Sequence, residues 1–207
     1  MVNGSEVTGL EFDIREYTLS SLENLRKQMG SQTVVPGVGP LDAELMIIGE
    51  APGQQEDEQQ TPFVGRSGEL LNKILEKSGW DREKIYITNT VKCRPTVGKK
   101  NRPPTEEEIQ ACKAILWKEL QIVPAKAIIT LGTIPTKLLL KGNSDMVFNY
   151  KWKLSEHLNK SFSVPYLNNF KTKIYACYHP SYLLRVGQGA TDRTIELFKF
   201  IKETHFG

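Results

Sequence analysis

The stretch Leu45-Met-Ile-Ile-Gly-Glu-Ala-Pro-Gly-Gln-Gln-Glu56, followed closely by Pro62-Phe63-Val64-Gly65, decides the fold. Leu45 to Ile48 is a short apolar run, rich in strand-favouring residues and stopped by a glycine, so it reads as a buried strand. Gly49 and Gly53 let the backbone turn tightly and approach a ligand closely, and Pro52 stiffens the bend. Glu50, Glu56, Asp57 and Glu58 set carboxylates just past the strand's carboxyl end, the edge where open α/β sheets place their sites. Phe63 lies in the loop that follows. Two readings stand at this point: a pocket for something flat, or an ordinary strand-to-helix connection with a solvated acidic tip.

The flanking chain supplies the rest of a layered fold. Upstream, residues 1–15 carry no clear signal, Ser20 to Gln28 reads as a short helix with Leu22 and Leu25 on one face, and Pro36-Gly-Val-Gly-Pro40 is a turn. Downstream, Ser67 to Lys77 is amphipathic at helical spacing, with Leu70, Leu71, Ile74 and Leu75 sharing a face. A second strand over Lys84 to Thr88 leads into Asn89-Thr-Val-Lys-Cys-Arg-Pro95. Thr105 and Glu108 have capping-box spacing and open a helix to about Gln121. A third strand covers Ala127 to Leu131, then a helix Ile134 to Leu140. A fourth strand, Lys173 to Tyr178, ends at His179-Pro-Ser-Tyr-Leu-Leu-Arg185, and a final helix covers roughly Thr191 to Lys202.

Strands alternating with helices predict an α/β fold: a three-layer α/β/α sandwich with a central four-stranded, mainly parallel sheet. Residues 1–207 form one such domain, and the lysine-, asparagine- and aromatic-rich segment 143–172 reads as an insertion of irregular or hairpin structure. Right-handed crossovers bring the ends bearing Glu50, Asn89 and His179 to one edge of the sheet.

Composition narrows the class. At 39% hydrophobic and 25% charged residues, the chain is ordinary for a globular protein, and its net charge of +3 is compatible with a nucleic-acid partner without requiring one. Lys92, Arg94, Lys99, Lys100 and Arg102 concentrate positive charge in one window. No apolar run is long enough to span a bilayer, and no signal-peptide pattern opens the chain. Cys93, Cys112 and Cys177 make no disulfide framework, so the expected setting is intracellular and reducing, not secreted.

Gly49-Glu50-Ala51-Pro52-Gly53, Pro62-Phe63-Val64-Gly65, Thr88-Asn89, Lys92-Cys93-Arg94-Pro95 and His179-Pro180-Ser181-Tyr182-Leu183-Leu184-Arg185 together resemble the uracil-DNA glycosylase superfamily. The match is best to its family 4, the branch that normally carries an iron–sulfur cluster. The resemblance implies an enzyme that flips uracil out of DNA and hydrolyses its N-glycosidic bond, leaving an abasic site. Phe63 then stacks on the base, beside Ala51, and Asn89 offers a donor and an acceptor to its O4/N3 edge. His179 donates to O2 as negative charge collects on the leaving base. Other branches place a water-assisting aspartate where this chain has Ala51; Glu50 and Glu56 are the carboxylates left to orient water, stabilise the cationic sugar or position Asn89. Glu56 also stands as a candidate for excluding thymine's methyl group. Ser181 is expected to grip a phosphate, and Tyr182, Leu183 and Leu184 to wedge into the gap in the stack. Lys99, Lys100 and Arg102 suit phosphates; Arg185 is either a DNA contact or a surface charge.

The family's cluster takes four cysteines, of which Cys93 and Cys112 match two positions; Leu22 and Leu25 fall where the first pair belongs. No cluster, no metal and no other cofactor are therefore expected. The expected partner is uracil-containing DNA, met by a monomer, with no membrane and with 143–172 as a candidate protein-contact segment. Two alternatives stay open: a glycosylase for a modified pyrimidine, or a non-catalytic DNA-binding or replication-associated protein on the same fold.

Overall fold

The computed structural model describes residues 14, 16–23, 26–27, 31, 33–142, 152–167 and 171–207. Its centre is the strand β1 (Leu45–Gly49), buried along its whole length. Side chains alternate across a strand, so Met46 and Ile48 enter one core cluster while Leu45 and Ile47 enter the other. Burial on both faces is why this strand reads as an unbroken apolar run. β2 (Ile85–Asn89) is likewise buried along its whole length, as is β5 (Ala127–Leu131), which follows the short hairpin β3 (Thr96–Val97) and β4 (Lys100–Asn101).

The sheet has five strands in the order β2-β1-β5-β7-β6, where β6 is Ser161–Phe162 and β7 is Lys173–Cys177. The four long strands are parallel, as expected. The fifth, β6, is an addition to the expected four: it lies inside the 143–172 segment and pairs antiparallel to β7, Phe162 opposite Ile174. A strand of two residues has no periodicity to read. Residues 143–151 and 168–170 of that segment, and Leu25 of the N-terminal helix, lie outside the described residues.

Helices cover both faces. On one, α3 (Glu106–Ile122) and α4 (Thr133–Lys141) follow the short α1 (Gln54–Gln59) and the longer α2 (Arg66–Lys77) in chain order, and pack Ile115, Leu116, Leu138 and Leu139 against Met46, Ile48 and Ile128. On the other, α2 meets α5 (Pro180–Val186) and α6 (Gln188–Phe206) through Leu71, Ile74, Leu183, Phe198 and Ile201. The capping box of α3 forms as its sequence predicts: Glu108 N donates to Thr105 Oγ1 at 3.3 Å, and Thr105 N donates to the Glu108 carboxylate at 2.8 Å. The carboxyl ends of β1, β2, β5 and β7 share one edge, and strand order reverses between β1 and β5, the position where open α/β sheets form a crevice. Among the described residues no helix is long and apolar enough to cross a membrane.

Candidate active site

A cavity of about 670 Å³ opens at that edge. It is lined by Glu50, Ala51, Phe63, Asn89 and His179, among others, so the residues expected at separate strand ends meet in one place.

Phe63 is held in an unusual backbone conformation, with φ at +55°. Left-handed backbone costs a non-glycine residue on the order of 1–3 kcal/mol, and the loop is clamped from both sides to keep it. Arg82 Nη2 donates to the carbonyls of Pro62 (2.9 Å) and Phe63 (3.2 Å). Glu56 Oε1 accepts from the amides of Val64 (2.9 Å) and Gly65 (2.7 Å), and its Oε2 accepts from Gly53 (3.1 Å). Glycine is needed twice beneath this loop. A Cβ on Gly68 would lie 1.9 Å from the Phe63 carbonyl oxygen, and one on Gly49 would lie 2.5 Å from the Phe63 ring and 2.3 Å from Asn89 Oδ1. Two of the three acidic positions on α1 are therefore committed: Glu56 to backbone amides, and the buried Asp57 to Ser31 Oγ and Thr33 N, each at 2.8 Å. In place of the alternative reading, a solvated acidic tip, stands a short helix tied down by Glu56 and Asp57, with Glu58 left exposed.

Asn89 ends β2 with 3% of its surface exposed, and its Oδ1 is buried with no hydrogen-bond partner among the described residues. An unpaired buried acceptor costs free energy, so its presence at a cavity wall points to a ligand donor. The strand end beneath it is fixed by Lys92, whose ammonium donates to the Asn89 carbonyl (2.7 Å), to Glu119 Oε2 (2.7 Å) and to Thr88 Oγ1. Lys92 is fully buried and Glu119 nearly so. Lys92 thus leaves the basic window that its sequence position suggested.

His179 caps α5. Its Nδ1 lies 2.9 Å from Ser181 Oγ and 3.2 Å from Ser181 N, which donates to it. An accepting Nδ1 requires the proton on Nε2, so the ring is a neutral imidazole with an Nε2–H donor. Burial, with Arg185 adding to it, pushes its pKa down to about 4. The ring sits 6.0 Å from Phe63, centroid to centroid. Glu50 lines the same cavity, and burial raises its carboxyl above the usual range.

The DNA-facing candidates divide. Leu183 is 1% exposed and packed into the core between α2 and α6, so it is no wedge; Leu184, at 45% exposure, is the accessible leucine. Tyr182 lines the cavity, stacked on Tyr178 at 4.6 Å. Ser181 turns its hydroxyl to His179, and Arg185 lines the cavity above Tyr182. Arg94 and Arg102 brace the β3–β4 hairpin, Arg94 through Asn101 (2.7 Å) and Arg102 through Glu108 (2.8 Å), leaving Lys99 exposed at its turn and Lys100 exposed at the start of β4. Ala51 brings no carboxylate to the wall.

Cys93 and Cys112 lie together in an apolar cluster with Ile14, Leu22 and Val34. Burial pushes the Cys93 thiol up to about 12, and the Lys92 amide donates to Cys112 Sγ at 3.4 Å. Cys177 belongs to the opposite cluster. Two protonated thiols with a packed leucine beside them do not fit a cluster that takes four thiolates.

Sequence reading missed three contributors to this site: Arg82, a lone arginine with no motif around it; Glu119, a helical carboxylate without local signal; and Leu154, which lines the cavity from within the insertion.

The arrangement, an aromatic shelf, an amide with a free acceptor and a neutral imidazole donor converging at a sheet edge, defines a pocket for a hydrogen-bonding planar ring. A family model described as the uracil DNA glycosylase superfamily matches residues 36–201, and the chain belongs to that family. It is 36% identical over 170 residues to the type-4 uracil-DNA glycosylase of Thermotoga maritima, covering 82% of this chain and 78% of that one. It is 35% identical over 177 residues to the type-4 uracil-DNA glycosylase of Sulfurisphaera tokodaii, covering 79% and 76%. A crystal structure of SMUG2 from Pedobacter heparinus aligns over 91% of this chain and 85% of that one, at 16% identity and a TM-score of 0.48.

Proposed function

We propose that the protein excises uracil from DNA by hydrolysing the bond between N1 of the base and C1′ of the sugar. The observation that carries this reading is the buried Asn89 Oδ1, without a hydrogen-bond partner among the described residues, on a residue that lines the same cavity as His179. Uracil supplies the complement: its N3–H donates to Asn89 Oδ1, its O4 accepts from Asn89 Nδ2, and its O2 accepts from His179. Cytosine lacks the N3–H and carries an amino group in place of O4, so it leaves the amide mispaired. Phe63 packs on the flipped ring.

As the C1′–N1 bond lengthens, its electron pair moves onto the base, and the His179 donor meets the developing charge at O2. Aimed donors in a water-poor site are worth about 10²–10³ in rate each. Arg185, near enough to depress the histidine, adds positive potential on the same side. The sugar becomes cationic at C1′, and a water held by Glu50 adds there, passing its proton to the carboxylate; the base anion takes up a proton from solvent. Glu56 and Arg82 act through Phe63, and Lys92 with Glu119 through Asn89, as positioning residues. Lys99 and Lys100 contact phosphates. Every group in this scheme comes from one chain, which supports action as a monomer.

The test compares an oligonucleotide carrying a single uracil with one carrying cytosine at that position, alkali-treated to break the strand at abasic sites. Strand breakage at uracil and none at cytosine is expected. No breakage with uracil, in single- or double-stranded DNA, overturns the reading.

A further inference from the structure

The cavity is larger than one pyrimidine fills. Phe63, Asn89 and His179 line it, and so do Leu154, Tyr178 and Tyr182. Tyr178 and Tyr182 stack on each other with an interplanar angle of 29°, and Tyr182 keeps 37% of its surface exposed. The Arg185 guanidinium lies 5.8 Å from the Tyr182 ring centre.

Leu154 comes from the insertion, on a short 3-10 turn over Leu154–Glu156, and that turn is anchored. His157 stacks on Trp152 at 4.3 Å and contacts Phe162 at 5.7 Å, with Lys137 over the Trp152 ring. Its Nδ1 lies 3.0 Å from the Lys153 carbonyl. Phe162 is part of β6, and Leu158 bridges Ala176 of β7. The lobe is therefore fastened to the strand whose next residues are Tyr178 and His179.

We propose that Leu154 and the Tyr178–Tyr182 pair form a second subsite, which takes the base next to the flipped uracil on the same strand. The proposal rests on the uracil reading of Phe63, Asn89 and His179 and extends it. Three features favour a nucleobase as occupant: the surface is aromatic and apolar, it is continuous with the base pocket, and a guanidinium stands over it. The neighbouring base loses its stacking partner when uracil leaves the helix, and aromatic side chains replace such stacking without regard to sequence. The insertion then serves DNA directly, in place of a protein partner.

The test uses single-turnover excision from single-stranded oligonucleotides in which the base 5′ or 3′ of the uracil is replaced, in turn, by an abasic spacer. Base–aromatic stacking of about 1–3 kcal/mol corresponds to roughly a 5-fold or greater change in kcat/KM. Wild type is expected to lose at least about 5-fold on one of the two spacers. Leu154→Ala and Tyr182→Ala, checked for folding by thermal melting, start lower on the intact strand and lose less than about 2-fold on that spacer. Leu154 sits on a partly exposed turn, so its variant keeps the test open if Tyr182→Ala fails to fold. Indifference of wild type to both spacers, or equal variant losses with and without the neighbour, overturns the subsite while leaving uracil excision intact. No excision by wild type overturns both.

Discussion

Replacing Glu56 by glutamine tests whether this carboxylate acts on substrate or on Phe63. The side chain keeps its shape and loses its charge. Hydrogen bonds to charged groups contribute about 1.5–3 kcal/mol against about 0.5–1.5 for neutral ones, so the bonds from Val64 and Gly65 weaken by roughly 1 kcal/mol each. The Gly53 amide now faces an NH2 group, which costs about a further 1–3 kcal/mol. The sum, about 3–5 kcal/mol, exceeds the strain of about 1–3 kcal/mol stored at Phe63. With Arg82 still holding the other side of the loop, part of that loss appears as misplacement of the ring. A fall in kcat/KM of about 10- to 100-fold is expected, since each 1.4 kcal/mol is about tenfold. The assay is a double-mutant cycle with Phe63→Ala, read as single-turnover uracil excision. If Glu56 works through Phe63, Glu56→Gln costs less than about threefold in the Phe63→Ala background. Equal costs in the two backgrounds refute the positioning role and return Glu56 to direct action on the substrate.

Three other outcomes follow from the site. Burial raises Glu50 above the ordinary carboxylate range while His179 stays neutral down to about pH 4, so the acid limb of kcat belongs to Glu50: activity falls as pH drops through its raised pKa. Glu50→Gln lowers the plateau and moves the limb down to about pH 4; a limb that stays in place contradicts the assignment. Ser181→Ala removes the hydroxyl partner of His179 Nδ1, and a loss of about tenfold in kcat with little change in KM is expected; an effect confined to KM would instead indicate the phosphate contact. Lys92→Met strands the buried Glu119 and should lower stability by about 3–5 kcal/mol in urea unfolding, with much of that regained in Lys92→Met/Glu119→Met. Additive losses would show that the pair is not coupled.

How much of this was legible in the sequence depends on burial. Strands buried on both faces appear as unbroken apolar runs, so Leu45–Ile48 and Ala127–Leu131 were readable, and their glycine stops marked the sheet edge. The helix Gln54–Gln59 was not, because Gln-Gln-Glu-Asp-Glu-Gln has no apolar period; its buried acids are satisfied by amides and hydroxyls far away in sequence. Lys92 was counted in a basic window because its partner Glu119 lies one helix away. Helical phase over the seven residues of α5 decided between Leu183 and Leu184, and a motif does not carry that phase. Asn89 and His179 were legible as polar residues at strand ends, and resemblance to a family gave them and Phe63 their roles; their clamps, which no pattern marks, emerged with the fold.

Single-turnover release of free base from an oligonucleotide with one uracil, measured for wild type, Asn89→Ala and His179→Ala, tests the central claim most directly. The account predicts release by wild type and a loss of about 100-fold or more in each variant, the effect of removing one preorganised partner. Wild-type release that survives both substitutions within about threefold would contradict it, placing the chemistry elsewhere in the cavity.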